Sequence, residues 1–176
     1  MANVQIRPFQ PGDAQLVFDA VRESQPLLSR WMRDLNESLT LEGVRSYIEQ
    51  QPAMREQRKA FNFVIAEAQN PGTILGGCGL TAINWAHQFA NLYYWVRGTR
   101  ARQGIASAAT LLLARFGFNQ LQLARIEIVV AIENPASVRV AEKVGAQREG
   151  LLRHRINIHG VVHDAWIYSL LPSDLS

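Results

Sequence analysis

From Phe61 onward the spacing of apolar residues switches repeatedly between period two and period 3.6, and the order of those switches restricts the folds open to the chain. Phe61 to Ala66 reads as a strand, and Asn70-Pro71-Gly72 as a turn. Thr73 to Ile83 reads as a second strand, although Gly76, Gly77 and Gly79 weaken its pattern. Leu92 to Val96, rich in aromatics, is a third, and Gly98 to Gln103 is a loop. Ile105, Ala109, Leu112 and Phe116 then share one face of a helix. Arg125 to Ile132 alternates and is β-branched, as a strand is. Asn134 suits a helix cap and Pro135 a first turn; Val138, Ala141 and Val144 give that helix an inner face, and Gly145 ends it. Leu151 to Leu171 reads as a hairpin turning near His159-Gly160.

The region before Phe61 is mostly helical in pattern. Val4 and Ile6 form a short strand. Pro11-Gly12-Asp13 opens a helix with Leu16, Val17, Ala20 and Val21 at helical spacing, and Pro26 is expected to break it. Leu27, Leu28, Trp31, Met32 and Leu35 suggest a further helical turn or two. Thr40 caps a third helix, whose Leu41, Val44, Tyr47 and Ile48 share a face. The sum is a mixed α/β (α+β) fold, a central and mostly antiparallel sheet flanked by helices. The 176 residues carry no repeat, linker or low-complexity segment, so one domain over residues 1–176 is expected.

Composition removes several classes of function. Apolar residues are 48% and charged residues 19%, an ordinary globular balance. No apolar run approaches the roughly 18 residues of a membrane span, and the first residues lack the apolar stretch of a signal peptide. A cytoplasmic protein with no membrane partner and no metal is expected. Cys78 is the only cysteine, so an internal disulfide is excluded, and it reads as a buried strand residue. The net charge of +3 is mild, and no basic block with interleaved aromatics is present, so direct nucleic-acid binding is not expected. Arg97, Arg100 and Arg102 hold much of the positive charge in one cluster, which suits phosphates.

A strand ending at Val96, a loop containing Gly104 and a helix starting near Ile105 make an anion-binding arrangement. The first N–H groups of a helix lack internal partners, and the helix dipole favours negative charge there. Gly104 and Ala106 let a diphosphate approach the backbone. An ATP or GTP loop is excluded, because Gly104 is followed by Ile105-Ala106 and not by Lys and Ser or Thr. Taken alone, the segment is equally readable as a plain strand–turn–helix connection with solvated arginines.

With its neighbours, the segment resembles the GNAT acetyltransferases, above all the RimJ/RimL-type branch. The family carries Arg/Gln-x-x-Gly-x-Gly/Ala here, and Ala101-Arg102-Gln103-Gly104-Ile105-Ala106 matches it except at Ala101. Asn134-Pro135-Ala136-Ser137 leading to Glu142-Lys143-Val144-Gly145-Ala146 is similar to the branch's Asn-x-x-Ser…Glu-Lys-x-Gly-Phe block, with Ala146 in place of Phe. Leu28-Ser29-Arg30-Trp31-Met32, Tyr94-Trp95-Val96, Arg125-Ile126-Glu127, Glu149 to Arg153, and His163-Asp164 leading to Tyr168–Leu171 extend the likeness along the whole chain.

The resemblance implies acetyl-coenzyme A as cofactor and an amine as acceptor. It implies cofactor contacts from Tyr94, Trp95, Val96, Arg102, Gln103, Gly104, Ile105, Ala106, Ser107, Asn134, Ser137 and Lys143. It further implies that the Val96 amide stabilises charge on the thioester oxygen and that Ser137 returns a proton to the departing thiolate. The tyrosine that many members use for that proton is replaced by Ala141, and the glutamate base of many relatives by Asn91. A base placed by other relatives in the late hairpin falls on Ile156. Glu127 is then the candidate base, with a salt-bridged structural carboxylate as its competing reading; His87, Glu133 or a water chain are further sources. A site with a weak base favours amines of low pKa. An α-amine, with a pKa near 8, is about one-tenth neutral at pH 7, whereas a lysine is almost wholly charged. The expected acceptor is therefore a peptide or protein N-terminus. The alternatives are a small amine such as an antibiotic or polyamine, the latter requiring an acidic pocket, and a non-catalytic coenzyme A-binding module. Relatives are often homodimers, which is carried as an expectation.

Overall fold

The computed structural model describes residues 2–32, 35 and 38–175. Seven strands form one sheet: β1 (Val4–Arg7), β2 (Phe61–Glu67), β3 (Ile74–Asn84), β4 (Phe89–Val96), β5 (Arg125–Ala131), β6 (Gln147–Ile158) and β7 (Val161–Leu170). Their order across the sheet is β1-β2-β3-β4-β5-β7-β6. Every neighbouring pair is antiparallel except β4 and β5. The described helices are α1 (Ala14–Leu28), α2 (Leu41–Glu56), α3 (Ile105–Leu121) and α4 (Pro135–Lys143). None is long and apolar enough to cross a membrane.

Alternation in the central strands divides the core into two layers. In β2, Phe61, Phe63 and Ile65 join a cluster with α3 and α4, while Val64 and Ala66 join one with α1 and α2. Successive side chains of a strand point to opposite faces, so a sheet covered on both faces demands an unbroken apolar run. The glycines of β3 have a packing reason. A Cβ at Gly76 would lie 2.1 Å from the Trp95 carbonyl oxygen, and one at Gly77 would lie 2.5 Å from the Trp95 indole Nε1. Gly76 thus leaves room for the neighbouring Trp95 backbone, and Gly77 for the Trp95 indole.

The chain departs from the sequence expectations at its helices. Pro26 does not break α1; it sits inside the helix, which runs on to Leu28. Its missing N–H removes one bond, to the Arg22 carbonyl, while the Ser29 N–H still donates to the Gln25 carbonyl at 2.9 Å. Among the described residues, no separate helix lies between Leu28 and α2. Residues 29–31 form turns, and part of that stretch lies outside the described residues. Leu16 and Leu27 face solvent, at 44% and 60% exposure, and so do not belong to the inner face of α1. On α3 it is Leu113, four residues after Ala109, that is fully buried, and Leu112 is only half-buried. Strand β4 begins three residues earlier than expected and β6 four residues earlier.

The caps follow the sequence. The Thr40 hydroxyl accepts from Gly43 N–H at 3.0 Å, and the Asn134 side chain accepts from Ser137 N–H at 3.1 Å. Ala141 and Val144 are buried, and Gly145 ends the helix region at φ 81°. The last hairpin turns on His159 and Gly160, both at positive φ, the backbone of a two-residue type I′ turn.

Candidate active site at a split in the sheet

The two parallel strands pair for three rungs only, ending at Asn91 opposite Glu127. Beyond that rung β4 and β5 separate. The Gln88 carbonyl accepts on the β5 side from Ala124 and Arg125, and the Arg97 N–H donates on the β3 side to Leu75 at 2.8 Å. Backbone groups alternate sides along a strand, so Leu92, Tyr94 and Val96 turn their N–H and C=O groups into the split. From the other bank, the Ile132 N–H donates to Asp164 on the β7 side, which turns Val129 and Ala131 toward β4. Unpaired strand backbone is a costly thing to bury and is available to a ligand.

A cavity of about 180 Å³ occupies the split. Leu92, Tyr94, Ile128, Val130, Asn134 and Ser137 line it toward α3 and α4, and Trp31, Met32, Asn91, Tyr93, Ile156 and Ile158 line its remainder. The cavity therefore connects the two faces of the sheet through the gap. Its lining, among the described residues, contains no Asp, Glu, Lys, Arg or His. The Tyr94 hydroxyl reaches the Ser137 carbonyl at 3.5 Å, and burial pushes its pKa up to about 12. Asn91 Oδ1 is buried and has no hydrogen-bond partner among the described residues. The hairpin tip closes one side: His159 Nε2 lies 2.8 Å from the Ser29 carbonyl, just beyond α1.

At the start of α3, Arg102 (φ 62°) and Gly104 (φ 77°) both take left-handed backbone. That conformation turns successive N–H groups toward one concave side before the free N–H groups of the helix. Ile105 is sunk in the core at 4% exposure and Ser107 at 8%, while Arg102 and Gln103 are exposed. The exposed Lys143 arrives from α4, with its Nζ 3.9 Å from where a Gly104 Cβ would stand.

Several of the side chains singled out in the sequence are engaged within the fold. Arg97 is held by Glu23, with Nε to Oε2 at 2.7 Å, and Arg100 by Glu67 at 3.0 Å, so the arginine cluster is mostly neutralised within the fold. Among the described residues, Arg102 and Lys143 are the cations beside the loop that have no such partner. Trp95 is buried against α1 and α2 with its indole over Gly77, so its side chain serves the core. Glu127 is bound to Arg125 at 2.9 Å and does not line the cavity, which is the arrangement of a structural carboxylate. Glu133 lies 3.5 Å from His163, and His87 is exposed in the turn before β4. Cys78 is fully buried, and burial pushes its thiol pKa up, away from a reactive thiolate. The contributions of Tyr93, Ile158 and the clamps Glu23 and Glu67 were not visible in the sequence; they come from elements far apart in the chain.

An α3 whose first N–H groups are offered beside a split between parallel strands can hold a diphosphate at the helix end and a narrow chain in the split. Residues 3–147 match the acetyltransferase (GNAT) domain family. The chain belongs to the GNAT acetyltransferases, enzymes that move an acetyl group from acetyl-coenzyme A to an amine. YdaF of Bacillus subtilis, a candidate ribosomal N-acetyltransferase, is 28% identical over 172 residues, covering 98% of this chain and 93% of that protein. A spermidine N(1)-acetyltransferase of Vibrio cholerae is 26% identical over 168 residues, covering 96% and 92%. The structure of Mycobacterium smegmatis RimJ in complex with CoA-disulfide superposes with a TM-score of 0.89 at 26% identity, covering 98% of this chain and 83% of that one. The likeness to these proteins supports the RimJ/RimL-type branch.

Proposed function

We propose that this enzyme acetylates the α-amine of a peptide or protein N-terminus. One observation carries the reading: the cavity through the split has no Asp, Glu, Lys, Arg or His in its described lining, and the family resemblance puts Asn91 and Ile156 where relatives place a base. A polyamine is a polycation, and a cavity without carboxylates offers its ammonium groups no partner to replace their hydration. An amine already partly neutral at pH 7 needs no strong base, which favours an α-amine over lysine.

The cofactor fits the residues present. The left-handed turn at Arg102–Gly104 and the N–H groups of Ile105, Ala106 and Ser107 would hold the pyrophosphate, with Arg102 and Lys143 supplying charge and Gln103 lying alongside. Tyr94, Asn134 and Ser137 would border the pantetheine arm at the cavity. Bound acetyl-coenzyme A supplies the acetyl thioester. The Val96 N–H, turned into the split, would stabilise negative charge on the carbonyl oxygen. The apolar walls of Leu92, Ile128 and Ile156 exclude water from the same place. Asn91 Oδ1 would accept a hydrogen bond from the incoming amine and orient it without removing its proton. The Ser137 hydroxyl is the proposed donor to the leaving thiolate, and the proton that the nitrogen sheds on becoming an amide would restore that hydroxyl.

Thiol release from acetyl-coenzyme A tests the reading with three matched acceptors: a peptide with a free α-amine and no lysine, the same peptide N-blocked and carrying one lysine, and spermidine. The α-amine peptide is expected to react at least ~10-fold faster at pH 7, from the difference in neutral fraction. Faster turnover of the lysine peptide or of spermidine would overturn it.

A further inference from the structure

A second, wider hollow of about 670 Å³ opens on the edge strand β6, lined by Leu151, Leu152, Arg153, His154, Arg155 and Asp164. It arises from a break in the ladder. Leu152 pairs with Ala165 and Ile156 with His163, so Arg153, His154 and Arg155 stand opposite Asp164 alone. His154 adopts a φ of 51°, and its N–H donates to Asp164 Oδ1 at 2.8 Å. A bulge of this size sacrifices ladder bonds and re-aims side chains. Here it presents three exposed basic residues in a row. Neither Arg153 nor Arg155 has an ion-pair partner among the described residues, in contrast to Arg97, Arg100 and Arg125.

The bulge runs directly into the active site. Ile156, the residue after it, and Ile158 line the acceptor cavity. An extended chain advances about 3.3 Å per residue, so Arg153 lies within about 10 Å of Ile156 along the strand. We propose that the Arg153–Arg155 bulge docks the acceptor's own chain, and that preferred acceptors carry Asp or Glu within about five residues of the reacting N-terminus. The inference rests on the N-terminal reading above. Charge complementarity argues for an acidic segment, and the same cations repel a polyamine at the cavity mouth.

The test uses the full chain with saturating acetyl-coenzyme A and three peptides of one N-terminal residue, with positions two to five acidic, neutral or basic. The acidic peptide is expected to show a KM roughly 3- to 10-fold below that of the neutral one with similar kcat, an advantage that shrinks at high salt. The Arg153→Ala/Arg155→Ala variant removes the advantage while changing the neutral peptide far less. Arg153→Lys/Arg155→Lys keeps it, which separates lost charge from a damaged hairpin. Equal or poorer turnover of the acidic peptide, or a double-alanine variant that slows all peptides alike, overturns the docking surface and leaves the N-terminal reading standing. Turnover of spermidine with none of any peptide overturns both.

Discussion

Asn91 and Ser137 line the same cavity, one from β4 and the other from the start of α4. The first can accept a hydrogen bond but take no proton at neutral pH, and the second is the hydroxyl that lines the cavity beside the cap of α4. If Ser137 returns the proton to sulfur, Ser137→Ala lowers kcat by about 100-fold, the low end of general acid catalysis, and leaves the dissociation constant for coenzyme A within about 2-fold. Single-turnover kinetics and calorimetric titration check the two halves; an unchanged kcat removes Ser137 from the chemistry. The setting of Ser137, though not its role, was legible in the sequence because that setting is local. The cap, the proline and the serine are neighbours on one helix end. The Glu127 pairing was legible in the same way, since Arg125 and Glu127 are two apart on a strand and share a face. The partners of Arg97 and Arg100 were not. Glu23 and Glu67 lie 74 and 33 residues away, and no periodicity links them to the loop they hold.

The elements are better recorded in the sequence than the contacts between them. Strands β2 and β3 and the helices after Gly104 and Asn134 follow from period and punctuation. The split between β4 and β5 does not, because it depends on where two parallel strands stop pairing. Pro26 misleads for a related reason: its missing N–H removes one bond, to the Arg22 carbonyl, and the residues after it still close the last turn of α1. The loop before α3 turns on two left-handed residues, Arg102 and Gly104. Gly104 holds a φ of 77°, which costs a residue with a Cβ about 1–2 kcal/mol. Gly104→Val is therefore expected to raise the KM for acetyl-coenzyme A by about 10-fold or more, with a smaller change in kcat at saturation and a modest loss of melting temperature. A KM that does not move would dissociate this loop from the cofactor.

At the scale of the whole molecule, ion pairs tie the layers together and make acid stability predictable. Asp13 is buried, which works against its ionisation, but the paired Arg7 guanidinium and the Gln10 N–H outweigh burial and hold its carboxyl below the usual range. Arg97 first, and Thr99 after it, hold Glu23 at about 2, tying α1 to the loop before α3. Arg125 and Ser169 hold Glu149 at about 2, tying β6 to β5 and β7. Each group binds its proton more weakly in the folded chain than in the unfolded one. Its stabilisation is complete above the ordinary carboxylate pKa of about 4.3 and is lost as pH falls toward 2. The melting temperature is thus expected to stay level from pH 7 to about 5 on account of these groups, and then to fall. Glu23 and Glu149 are partly exposed, with side chains at 30% and 41%, so salt screens them and their share is small. Asp13, at 6%, carries more. Asp13→Asn should cost roughly 2–4 kcal/mol at pH 7, because it leaves Arg7 without its countercharge, and should flatten the acid limb of the curve. Thermal melts of the wild type, Asp13→Asn and Glu23→Gln between pH 7 and pH 2 decide the matter. Three curves that fall in parallel would mean that other carboxylates control the acid transition.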